Sequence, residues 1–177
     1  MGRKRASEFC MFPGSSSLRS PPLAHTPVPY PIYRNNVTLT CMVKYTDSID
    51  DIKRAMLEGF FKGWISPPSK EIHLKVLKNS YGVVLAVDDS HDKVAGFITA
   101  ISDGVLSAHI SLFEVLPDYH SKGLGKELLR RMLAKLNNLY AVSLMCDEEL
   151  EPFYSRFGMS PGTGMNIRNY EKQSARQ

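Results

Sequence analysis

Apolar residues recur in two different rhythms along this chain. Ile49, Ile52, Met56 and Phe60 return every three or four positions, and Thr46 to Ser48 supply cap-type residues ahead of them. This spacing predicts a first helix running to about Trp64. Pro67-Pro68 interrupts it. Ser69 then caps a second helix, with Ile72, Leu74 and Leu77 as its apolar stripe, ending near Asn79. Before the first of these and again after the second, the rhythm changes to short, β-branched runs. Val37–Val43 predicts a first strand, Val83–Val87 and Val94–Ile101 two more, and Val105–Leu116 a long one closed by Pro117. Asp103-Gly104 is a hairpin turn signal. The helical period returns from Lys122 to Leu136, followed by a central-looking strand at Val142–Met145. A short helix at Glu149–Arg156 is stopped by Gly158, and Met165–Arg168 closes the series as a last strand.

The predicted order is β-α-α-β-β-β-α-β-α-β. It describes an α/β fold in which a three-strand meander and a β-α-β unit form one mixed sheet with helices on its faces. The first 36 residues depart from it. They hold five of the basic residues against one acid, Glu8, together with six prolines and Ser15-Ser16-Ser17. Such a segment buries little apolar surface and reads as a disordered leader (1–36), ahead of a domain at 37–171 and a tail at 172–177. An organelle transit peptide, a phosphorylation site at Ser7 or a simple upstream extension are the competing readings of that leader.

A chain of 177 residues with 43% hydrophobic and 23% charged positions is a globular protein of one domain. Its net charge of +4 suits an anionic ligand and is too mild to argue for nucleic acid. No apolar run approaches the roughly 18 residues that span a membrane. Cys10, Cys41 and Cys146 form no CxxC pair or zinc spacing, so no metal is expected. An odd, unpaired set of thiols points to a reducing compartment, with the cytoplasm as the plain expectation and Cys146 as a buried thiol.

The chemistry concentrates between Val115 and Lys126. A strand ends at Pro117, and Gly123-Leu124-Gly125 opens a helix. The first turn of a helix exposes unpaired N–H groups at the positive end of its dipole, and glycines let a bulky anion approach them. Lys122, Lys126 and Arg130 are spaced by four and predict a basic face at that helix start. A solvated basic face beside a glycine turn is the bland alternative. Glu127 after Gly-Lys excludes a P-loop, and Leu128 stands where a dinucleotide fingerprint needs its third glycine.

The stretch Val115-Leu-Pro-Asp-Tyr-His-Ser-Lys-Gly-Leu-Gly-Lys-Glu-Leu-Leu resembles motif A of the GNAT N-acetyltransferase superfamily, and Pro152-Phe-Tyr-Ser-Arg-Phe-Gly-Met159 resembles that superfamily's Phe-Tyr-x-x-x-Gly-Phe segment. The resemblance covers about Val37 to Tyr170. It departs at His120, where the superfamily usually has Gln or Arg. The resemblance implies acetyl-CoA as donor, with its pantetheine arm along Phe113, Glu114 and Val115. Its pyrophosphate would lie on the backbone of His120, Ser121, Lys122, Gly123, Leu124, Gly125 and Lys126. It also implies direct attack by a small-molecule, lysine or N-terminal amine, and it leaves a homodimer open.

Tyr154 is the candidate acid for the leaving thiolate, since its phenol is neutral at pH 7; a core aromatic beside Phe153 and Phe157 is the alternative. His109 is the candidate base, expected to share a face of the long strand with Ser111, Phe113 and Val115. Ser107-Ala-His-Ile110 is similar to a strand of the arylalkylamine N-acetyltransferases, where a second histidine follows; Ser111 stands in its place here. Glu114 is the second candidate base, if a bulge turns it toward the site; a water chain is a third route. The acceptor is expected against Phe60–Ser69, with Phe61, Trp64 and Pro67-Pro68 as contacts. A non-catalytic acyl-CoA sensor on the same fold is the competing function.

Overall fold

The computed structural model describes residues 43–175. The leader and nearly all of the expected first strand lie outside them. Five strands, β1 (Val43–Thr46), β2 (Gly82–Asp88), β3 (Lys93–Ser102), β4 (Ser107–Val115) and β5 (Ala141–Leu144), form one sheet in sequential order. β1 to β4 are antiparallel neighbours, and β5 runs parallel to β4. Parallel pairing needs a crossover, which α2 (Leu124–Lys135) supplies. β5 is therefore the edge of the described sheet and not a central strand.

β2 is buried along its whole length and β3 along most of it, which is why both read as continuous apolar runs. α2 buries Leu124, Leu128, Leu129 and Met132 on one face of the sheet. It comes so close that a Cβ on Gly96 would lie 3.0 Å from Leu128 and 3.1 Å from Val115. α1 (Lys70–Asn79) begins at Ser69, whose hydroxyl accepts from the Ile72 N–H, as the sequence predicts. It packs His73 and Leu77 inward.

Two predicted elements are absent. Only a 3-10 turn (Arg54–Leu57) forms within the first predicted helix. Gly59, Phe61 and Gly63 all have positive φ, at 93°, 60° and 89°, and alternating left-handed residues cannot continue a helix. The apolar side chains with helical spacing are nevertheless buried: Ile52, Met56, Leu57 and Phe60 join the core from a loop. Met165–Arg168 forms no strand, and Met165 and Ile167 are almost fully exposed. A short helix, α3 (Glu151–Ser155), follows a 3-10 turn at Glu148–Leu150, with Pro152 in its first turn where its missing N–H costs nothing. Cys146 is exposed, because the chain leaves the sheet after Leu144.

Candidate functional site

β4 and β5 are paired only from Ser107↔Ala141 to Ile110↔Leu144. β4 then continues to Val115 without a neighbour on that side among the described residues. The separation begins at a bulge. Thr99 of β3 faces Leu112 while Ala100 faces Ile110, so Ser111 is the extra residue. The Thr99 hydroxyl hydrogen-bonds the Ser111 hydroxyl at 3.1 Å. A bulge adds twist and re-aims the strand, and here it falls where the β4–β5 pairing ends.

The bulge also resets which side chains share a face. Phe97, Thr99 and Ile101 alternate onto one face of β3, and their partners are Glu114, Leu112 and His109. His109 therefore shares its face with Glu114. Phe113 and Val115 turn to the α2 face, where Gly125 meets them at 3.6 and 3.9 Å. This corrects the expectation that His109, Phe113 and Val115 lie together: a strict two-residue period fails across one inserted residue. Their β3 partners, Ile101 and Phe97, are four positions apart, so His109 and Glu114 stand about 13 Å apart between Cα atoms at the usual strand rise.

Beyond β4, a 3-10 turn (Pro117–Tyr119) leads into the glycine loop. The Tyr119 hydroxyl donates to Asp88 Oδ2 at 2.6 Å, and Asp88 is fully buried. His91 Nδ1 lies 2.8 Å from the same oxygen. This network ties the loop to the β2–β3 turn, and no sequence motif announces it. The His120 ring, unassigned by sequence, has Nε2 2.7 Å from the Val115 carbonyl oxygen, fastening the loop to the end of β4. Ser121 and Gly123 both have positive φ, at 60° and 81°. Gly123 is the N-cap of α2, and its left-handed turn aims the first helical N–H groups outward. A side chain there would meet no atom within 4 Å, so the position opens to solvent.

The expected basic face is only partly present. Arg130 and Arg131 both bind Glu127, at 2.6 and 2.7 Å. Lys122 sits over the Tyr119 ring, 5.0 Å from its centre. Lys126 has no ion-pair partner among the described residues. Two lysines and a row of helix N–H groups thus remain for an anion, which fits a pyrophosphate.

Phe153 of α3 reaches Phe113 with ring centres 6.4 Å apart, and Tyr154 packs edge-on to Phe153 at 5.0 Å. Tyr154 lines a cavity of about 300 Å³ with Leu144, Met145, Cys146 and Met159. Burial raises its pKa above the ordinary value of 10, and the nearby Cys146 adds to the rise. The hydroxyl is therefore a proton carrier throughout the neutral range. His109 Nδ1 lies 3.1 Å from the Ser143 hydroxyl, opposite it on β5. Glu114 has a carboxyl pKa raised by burial, opposed by the Phe61 N–H, which donates to its Oε1 and Oε2 at 3.1 and 3.0 Å. Sequence reasoning had no signal for that last contact, which joins residues 53 positions apart.

Residues 48–162 match the family model described as an acetyltransferase (GNAT) domain. Curated relatives include ycf52 of Pyropia yezoensis, named an uncharacterised N-acetyltransferase, at 28% identity over 100 residues, or 54% of this chain and 57% of that one. The Porphyra purpurea protein of the same name is 27% identical over the same shares. This chain thus spans less than two thirds of the length of those relatives. Among solved structures, a Deinococcus radiodurans protein assigned provisionally as an acetyltransferase is 39% identical. It aligns with a TM-score of 0.72 over 75% of this chain and 92% of its own. A Trypanosoma brucei acetyltransferase, 17% identical, shares the fold alone, with a TM-score of 0.56 over 72% of this chain and 99% of its own.

Proposed function

This chain belongs to the GNAT acetyltransferases, and from that premise we propose that it transfers an acetyl group from acetyl-CoA to a primary amine within a ternary complex. The observation that carries the reading is the open edge of β4 beyond Ile110↔Leu144, ending at the left-handed Gly123 that starts α2. Acetyl-CoA would supply the activated thioester. Along the open edge, the backbone of Phe113 and Val115 offers hydrogen bonds to the amides of a pantetheine arm. Residues 120–126 offer N–H groups and two lysines to the pyrophosphate.

In the reaction the C–N bond forms as the C–S bond breaks. The ammonium form of the amine must first lose a proton, and the departing thiolate must gain one. Tyr154 is the donor in this proposal: its phenol stays protonated at neutral pH, and it makes no hydrogen bond to another described residue. His109 is the acceptor, close to the point where β4 and β5 part. Positioning both substrates could supply about 7–11 kcal/mol of barrier lowering, and a well-placed base about 10²–10⁴-fold more. The acceptor, a small amine or a lysine or N-terminal amine, approaches from the α1 face, where His109 lies.

The test is release of free thiol from acetyl-CoA with a panel of primary amines. Turnover with at least one amine supports the proposal. Tight acetyl-CoA binding with no turnover on any amine would favour the acyl-CoA sensor instead. Among the described residues no helix is long and apolar enough to cross a membrane.

A further inference from the structure

The loop that replaces the first predicted helix carries three left-handed residues in alternation: Gly59, Phe61 and Gly63. Glycine adopts that conformation freely, but Phe61 does not. A bulky side chain at φ 60° is strained and persists only where its surroundings impose it. Two things impose it here. The Phe61 ring is buried against His73 at 4.8 Å and Phe97 at 6.0 Å. Its N–H points at the Glu114 carboxylate, with both oxygens 3.0–3.1 Å away. A left-handed residue is the way this turn aims that N–H toward β4. Hydrogen bonds to an ionised acceptor are about twice as strong as neutral ones.

Phe61 in turn holds Trp64. The Trp64 N–H donates to the Phe61 carbonyl at 3.2 Å, and the rings meet edge-on at 5.2 Å. Trp64 and Ile65 are exposed, while Phe60 and Phe61 are buried beneath them. The loop's far end is pinned by the Ser66 N–H to the Gln173 side-chain oxygen at 2.9 Å. Glu114 belongs to the stretch of β4 that has no β5 partner, on the face opposite α2.

We propose that Glu114 is a positioning residue that holds the 59–66 loop, and with it Trp64, against the open stretch of β4 to form one wall of the acceptor site. Its carboxylate is engaged by the Phe61 N–H, and in this proposal His109 carries the base role. The acceptor part of this inference rests on the acetyl-transfer reading; the clamp itself does not.

Two substitutions separate the roles. Glutamine keeps a carbonyl oxygen that can accept from Phe61, and alanine keeps none. Hydrogen exchange of wild type, Glu114→Gln and Glu114→Ala tests the clamp without any substrate. Exchange across 59–66 should quicken roughly tenfold or more in the alanine variant and stay near wild type in the glutamine variant, because local opening follows the loss of a specific contact. Equal exchange in wild type and Glu114→Ala overturns the clamp. With an amine that the wild type acetylates, Glu114→Ala should raise the acceptor KM about tenfold with little change in kcat, as a lost binding interaction does. Glu114→Gln should restore most of that KM and leave the pH–rate profile unchanged. A collapse of kcat in Glu114→Gln, with loss of the acidic limb, would assign Glu114 as the base and refute the positioning role. Absence of turnover in wild type would count against acetyl transfer while leaving the exchange result to judge the clamp.

Discussion

Replacing His73 with leucine removes an imidazole buried in the core. The ring is 1% exposed and packs against Phe60, Phe61 and Phe97 at 5.3, 4.8 and 4.5 Å between centres. Its Nε2 has no hydrogen-bond partner among the described residues. Burial disfavours its charged form and pushes its pKa down from 6.5 to about 4. The folded protein therefore binds this proton more weakly than the unfolded chain does. Stability is fully present above pH 6.5, falls as pH drops toward 4, and levels off below that. Fully developed, the loss is roughly 3 kcal/mol, and between pH 7 and pH 5 it is about 2 kcal/mol, against a total stability of about 5–15 kcal/mol. Leucine has a similar volume and no proton to gain. At pH 8 the variant should lie within about 1.5 kcal/mol of wild type, as for a volume-conserving core change. The measurement is urea unfolding from pH 8 to pH 5, plotting the difference between wild type and variant. That difference should widen in the variant's favour by about 2 kcal/mol on acidification. Parallel pH curves would refute the reasoning, since they would mean that His73 is protonated as easily inside as outside.

Gly96→Ala should destabilise by about 1–3 kcal/mol, because the new methyl meets Leu128 at 3.0 Å, Val115 at 3.1 Å and the Glu114 carbonyl at 3.2 Å; a thermal melt reads this, and an unchanged midpoint contradicts the close packing of α2. Tyr154→Phe should lower kcat at least tenfold while acetyl-CoA binding by calorimetry stays near wild type. Since burial raises the phenol's pKa, wild-type kcat should hold to above pH 10 on the alkaline side as far as Tyr154 is concerned; unaltered kcat in the phenylalanine variant removes it as the acid. His109→Gln should abolish the acidic limb of the pH–rate profile, and a profile that matches wild type excludes His109 as the base.

Local signals carried much of the fold. Ser69 before an apolar stripe marked the start of α1 to within a residue, and the glycine pair marked the start of α2. Asp103-Gly104 marked the β3–β4 turn, where the Asp103 carboxylate accepts from the N–H groups of Val105, Leu106 and Ser107. These elements are legible because each is stabilised by partners within a few residues. The first helix misled for the opposite reason. Ile52, Met56 and Phe60 follow a helical period because they fill a core, but their loop is shaped by Phe61, whose left-handed turn is held from β4.

The sequence by itself determined the strand meander, the crossover helix, the glycine-rich loop and the aromatic segment around Tyr154, since periodicity, capping and turn chemistry are properties of neighbouring residues. Only the tertiary structure decided what these elements do to one another. One bulge at Ser111 placed His109 and Glu114 on a common face and sent Phe113 and Val115 to the other. The early end of the β4–β5 pairing left the edge of β4 beyond Ile110 open among the described residues. His120 became a tie to Val115, and Glu114 the partner of a backbone N–H 53 residues away. Contacts of that kind leave no trace in local pattern, because their free energy depends on where the folded chain brings distant groups together.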